Sequence, residues 1–122
     1  MFDYRAALVR IVDADSCVLE LDCGFGGRQQ EEIRLLNVSA PEKYQAGGLE
    51  SRDFAAAWFA QLPARRWPIF VTTVPNTSLE PLERRTFVRY LATVYDFADR
   101  SRCLNTDLAV FLSQHPEWGT GI

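Results

Sequence analysis

The sequence predicts a small, mainly β domain with two helices, of the α+β class, in the order β-β-β-α-β-β-α. Three observations carry this. The first third of the chain is rich in Val, Ile and Leu with two-residue alternation. A helical period appears only from Leu49. Two further β-branched runs then precede a second helical face.

Residues 4–12 form the first predicted strand, and Asp13-Ala14-Asp15-Ser16 has turn composition. Cys17, Leu19 and Leu21 alternate with Val18, Glu20 and Asp22, the pattern of a half-buried second strand. It ends in Cys23-Gly24-Phe25-Gly26-Gly27. Residues 30–38 make a third strand, so that the three read as a meander. Ser39-Ala40-Pro41-Glu42 breaks the sheet, and Gly47-Gly48 prolongs the loop. Phe54, Ala57, Trp58 and Leu62 then share one helical face before Pro63. Ile69–Val74 and Phe87–Tyr95 are the last two strands, separated by a polar loop from Pro75 to Arg85. Leu104, Leu108, Phe111 and Leu112 face one side of the final helix, with Asn105 or Thr106 as its expected cap. Five strands with a helix after the third suit a small barrel such as the five-stranded OB-fold.

The 122 residues contain no repeat, low-complexity tract or linker, so residues 1–122 read as one domain. Apolar residues make up 48% of the chain, enough for a core without staples. No apolar run approaches the ~18 residues of a membrane span. The start Met1-Phe2-Asp3-Tyr4-Arg5 lacks the pattern of a signal peptide, so the expected location is cytoplasmic, with no membrane partner. Three cysteines (Cys17, Cys23 and Cys103) without CxxC spacing exclude a disulfide scaffold and a thiolate zinc site, and read as reduced thiols. One histidine, His115, excludes chemistry built on histidine pairs. Any metal would be a hard ion held by oxygens. A net charge of −3 argues against a broad nucleic-acid surface, so phosphate attraction must be local. Twelve of the 13 cations are nevertheless Arg, the better residue for forked phosphate contacts.

Four features can carry chemistry, and each has an ordinary alternative. Asp13 and Asp15 in the first turn can hold a hard cation or simply be solvated. An EF-hand is excluded, because its fifth and twelfth positions would be Cys17 and Gly24. Arg34 and Arg89 lie in apolar strands and need partners, catalytic or structural. Glu42 follows Pro41 in a stiffened loop and is otherwise a surface carboxylate. As a group they suit phosphodiester hydrolysis. Oxygens hold a divalent cation, Glu42 activates water, and the arginines stabilise the charge that develops on the phosphoryl group. Structurally, Glu42 could instead bridge Arg34 and Arg89 in an ion-pair network.

The runs Val9-Arg10-Ile11-Val12-Asp13-Ala14-Asp15-Ser16 and Ile33-Arg34-Leu35-Leu36-Asn37-Val38-Ser39-Ala40-Pro41-Glu42 resemble the staphylococcal nuclease (thermonuclease) family. The family's motifs there are V-x-D-G-D-T and R-L-x-x-[IV]-D-[AT]-P-E. Gly48-Leu49-Glu50-Ser51, Arg89–Tyr95 and Leu104-Asn105 follow in the family's order, so the likeness covers residues 4–114 and is nearest to short phage-encoded members. The resemblance implies an OB-fold nuclease that cleaves DNA and RNA with little sequence preference and uses a divalent cation, calcium. It implies catalytic roles for Arg34, Glu42 and Arg89. Asp15 takes the place of the metal-binding aspartate, while Ser39, where the family has a second metal-binding aspartate, and Asp13 complete the expected metal set. Arg84, Arg85 and Phe87 are the expected nucleic-acid contacts. The chain departs from the family at Ser39, at Ala14 in place of a glycine, at Thr86-Phe87-Val88 in place of Lys-Tyr-Gly, and in lacking the family's last helix and base-stacking tyrosines. Those departures motivate the alternative: an inactive OB-fold module that binds single-stranded nucleic acid or a protein partner.

Overall fold

A computed structural model describes residues 2–75 and 90–118. The chain forms a closed barrel of five strands: β1 (Phe2–Asp13), β2 (Ser16–Gly24), β3 (Gly27–Leu35), β4 (Ile69–Pro75) and β5 (Tyr90–Asp96). Around the barrel they run β1-β2-β3-β5-β4, and β4 closes on β1. Helix α1 (Gly48–Ala60) lies between β3 and β4, α2 (Leu104–Ser113) follows β5, and a short 3-10 turn spans Pro116–Trp118. This is the predicted α+β, OB-fold-like barrel in the predicted order. Arg84, Arg85, Phe87 and Arg89, and the start of the strand expected from residue 87, lie outside the described residues.

The barrel closes because β1 is long and bent. Its first residues, Phe2–Ala6, pair with β4, and Ala6–Asp13 pair with β2. Register shifts between Leu8 and Arg10 and between Ile11 and Asp13 supply the bend, as bulges do at barrel corners. Among the described strands only β3 and β5 pair in parallel, through Ile33–Leu35 and Tyr90–Ala92, and α1 and β4 lie in the connection between them. Inward residues Leu19, Ile33, Leu35, Ile69, Val71 and Val94 fill the barrel and are almost wholly buried. The same cluster includes Trp58 and Phe59 of α1 and Leu104, Leu108 and Leu112 of α2.

Several boundaries differ from the sequence-based expectation. β3 starts at Gly27 and ends at Leu35 rather than Val38. Asn37 is left-handed (φ 62°), a conformation that asparagine tolerates, and the Leu36-Asn37 turn stops the strand. Val18, expected to face solvent, is buried. On α1 the buried positions are Gly48, Ser51, Ala55, Trp58 and Phe59, whereas Ala57 is exposed. The face is rotated because the run Ala55-Ala56-Ala57 offers no size contrast to set it. The face of α2 is as expected.

The expected caps of α2 are also corrected. Its N-cap is Cys103, without a side-chain cap bond. Asn105 is buried instead, accepting from Val94 N–H at 3.0 Å and donating to the carbonyls of Ala92 (2.9 Å) and Leu36 (3.1 Å). One amide thus ties α2 to β5 and to the exit of β3. Among the described residues no helix is long and apolar enough to cross a membrane.

Candidate functional site

Three separated segments meet where β1 and β3 end and β2 begins. Ala14 and Asp15 form the turn between β1 and β2. Ala14 replaces the glycine of the resembling motif without strain, since it is buried and absent from the left-handed residues. Ser16 pairs with Arg34 across β2 and β3, and Leu35 N–H donates to the Asp15 carbonyl at 2.8 Å. That register places the Arg34 guanidinium beside the turn. Its Nη2 lies 3.5 Å from Asp15 Oδ2. Asp15 is largely buried, while Arg34 stays 44% exposed, so the cation keeps outward N–H groups for a ligand.

The loop after β3 is built onto the same turn. Asp15 Oδ2 accepts from the buried Ala40 N–H at 3.0 Å, and Asp13 Oδ1 accepts from Lys43 N–H at 3.1 Å. These two bonds bracket Pro41-Glu42. Glu42 N–H donates to Gln45 Oε1 at 2.8 Å, and its carbonyl accepts from Gln45 N–H at 2.9 Å. Gly48 lies so close that a Cβ there would sit 1.9 Å from the Glu42 carbonyl oxygen. The backbone of Glu42 is therefore held from several directions. Its side chain is exposed and takes part in no ion pair among the described residues.

The expected group is thus brought together in part. Asp15 and Arg34 are in contact, and the Glu42 backbone is pinned to their turn. The Glu42 bridge expected of a purely structural network does not reach Arg34 among the described residues, where Asp15 takes that place. Asp13 and Asp15 serve as acceptors for backbone N–H groups, a use that the spacing D-x-D does not disclose. Gln45 was missed by sequence reasoning, although a polar side chain three residues after a loop carboxylate is a known local backbone partner. Arg34 and Ser39 also line an open groove of about 520 Å³ with Leu35, Asn37, Val38 and Leu91.

The donors fit a calcium ion poorly. Among the described residues no three of His, Cys, Asp and Glu gather into a metal-binding group. Asp15 Oδ2 already faces an amide and a guanidinium, and Oδ1 lies 3.5 Å from the Ser16 hydroxyl. Ser39 is exposed and neutral. Asp13 Oδ1 is likewise engaged, by Lys43 N–H. Calcium takes six to eight oxygens and gains affinity with ligand charge, and two carboxylates already committed to backbone N–H groups offer little of either.

No protein-family model matches the chain, and no curated protein is significantly similar to it.

Proposed function

We propose that the chain is a nuclease of the staphylococcal nuclease type, hydrolysing phosphodiester bonds of DNA or RNA with little sequence preference. The observation that supports this most is the Asp15–Arg34 contact at the turn onto which the Glu42 loop is docked. Chain segments around residues 15, 34 and 42 meet there, and the resemblance assigns them to one reaction.

In this reading Arg34 donates its outward N–H groups to a phosphoryl oxygen. It stabilises the charge that grows there as water attacks. Asp15 holds the guanidinium in place. Glu42, on a loop fixed by four backbone bonds, takes the proton from the attacking water. As the new P–O bond forms, the opposite ester P–O bond breaks, and its oxygen leaves with a proton from solvent. Val38, Leu91 and Ser39 offer a wall for the adjoining nucleotide. Arg89 is the second cation of the proposal and lies outside the described residues. Of the expected metal set, Asp15 and Asp13 each already accept a backbone N–H and Ser39 is neutral, so the expected affinity for a divalent cation is no tighter than about millimolar.

Ser39 favours a second reading, the inactive single-strand-binding module. A neutral, exposed hydroxyl stands where the resemblance places a carboxylate. One assay separates the two. Denatured DNA and RNA are incubated with the protein in calcium, magnesium, manganese or chelator, with Glu42→Ser and Arg34→Ala purified in parallel. The nuclease reading expects metal-dependent cleavage that falls by about 10²–10⁴ in Glu42→Ser and about 10²–10³ in Arg34→Ala. Equal activity in all three proteins would mark a contaminant. No cleavage with any metal would remove the nuclease reading and make the binding module the working model.

A further inference from the structure

The hairpin between β2 and β3 turns on Phe25-Gly26, both left-handed (φ 54° and 75°). Such two-residue turns favour Asn-Gly or Gly-Gly, and a bulky aromatic in that conformation is an outlier. Phe25 is fully exposed (112%) and has no part in the core cluster. Neither the turn nor the core accounts for an aromatic ring at this position.

Beside it, Arg5, Arg28 and Arg66 converge on an open depression of about 410 Å³, which Phe25 and Trp67 also line. The guanidinium of Arg66 stacks on Trp67 at 4.0 Å. Two carboxylates face the three cations. Arg5 Nε donates to Asp22 at 3.0 Å, Arg66 pairs with Glu20 at 2.6 Å, and Arg28 lies 3.9 Å from Glu20. Among the described residues these ion pairs set three positive against two negative charges, one positive charge in excess in a chain of net charge −3. Each arginine remains about half exposed, with N–H groups left over. The face continues onto β4, where Arg100 stacks over Phe70 at 3.8 Å and Phe70 pairs with Arg5.

We infer that this depression is an anchoring site for single-stranded nucleic acid, with Phe25 and Trp67 stacking bases and Arg5, Arg28 and Arg66 binding phosphate. Aromatic faces interleaved with guanidinium groups match a strand whose bases are unpaired. The site is separate from the Asp15–Arg34 turn. Asp22 and Arg28 pair six residues along β2 from Ser16 and Arg34, roughly 20 Å away. A strand that spans both would be held at one end while the other is processed. This anchor rests on the nucleic-acid reading above, but not on cleavage.

The test is fluorescence anisotropy of a labelled oligothymidylate of about 12 nucleotides, titrated with the full chain in chelator. Phe25→Gly is the informative variant, because glycine relieves the turn and the fold is kept, as circular dichroism verifies. Its affinity is expected to fall about tenfold. Arg28→Gln with Arg66→Gln should weaken binding and flatten the slope of log affinity against log salt by about 1.4. Wild-type affinity in Phe25→Gly and in the arginine pair overturns the site, as does no binding by the wild type at about 0.1 mM protein. Tight, Phe25-dependent binding without cleavage in any metal would support the anchor while removing the nuclease.

Discussion

At the residue scale, Ser39 is the position on which the metal question turns. It lines the groove beside Arg34 and carries no charge. Ser39→Asp adds a second carboxylate next to Asp15, and calcium affinity should rise by at least about tenfold in calorimetric titration. Unchanged affinity would show that Ser39 does not face the ion. Cys17 gives a second prediction. Its burial, and less so the charge of Glu32, push its thiol from 9.0 up to about 12. In the unfolded chain the thiol ionises near 9.0, while the folded chain keeps its proton. Rising pH therefore favours the unfolded state, and stability present below pH 9.0 is lost towards about 12. The unfolding free energy from urea denaturation, followed from about pH 8 to about 10.5, should fall by up to about 1.4 kcal/mol per pH unit more in the wild type than in Cys17→Ala. Parallel slopes would contradict this.

At the element scale, the strands were legible because alternation needs only a buried and an exposed side. Leu19, Leu21 and Ile33 obey it. The face of α1 was not, because alanines carry no size contrast. The work of Asn105 and of the Asp13–Asp15 pair was also hidden. A composition that reads as a cap or a turn does not name the distant N–H group it serves. Asp15 reaches Ala40, and Asn105 reaches Leu36. The resemblance pointed to Asp15, Arg34 and Glu42, but only the register of β2 on β3 explains how Arg34 meets Asp15. The entry to α1 shows how an element can depend on the site it adjoins. Propensity alone predicts that Gly48→Ala stabilises this helix by about 0.5–1 kcal/mol. The 1.9 Å approach to the Glu42 carbonyl reverses the sign. Backbone must move, so the expected outcome is a loss of about 1–3 kcal/mol in urea denaturation. A stabilised Gly48→Ala would mean that the Glu42 loop yields freely.

At the scale of the whole molecule, barrel and helices share one core, and this governs how the protein unfolds. Leu108 of α2 is fully buried in the cluster that holds Leu19, Leu35 and Ile69 of the barrel and Trp58 of α1. Trp58 Nε1 also donates to Asp107 at 2.8 Å, and Phe54 stacks on Phe111 at 4.5 Å, so that the helices are joined to each other as well. Neither helix has a separate core to survive on once the barrel opens, and isolated helices of 13 and 10 residues are marginal in water. Unfolding should therefore be one transition, with coincident midpoints by tryptophan fluorescence and far-ultraviolet circular dichroism. Leu108→Ala removes buried volume at the junction and should lower stability by about 2–5 kcal/mol. Both probes should shift together. If the helical signal were lost first in Leu108→Ala, with β-sheet signal persisting to higher denaturant, the barrel would be an independent unit. The Asp15–Arg34 contact and the Glu42 loop that Asp13 and Asp15 hold would then outlast α2, and the site would persist after part of the fold was lost.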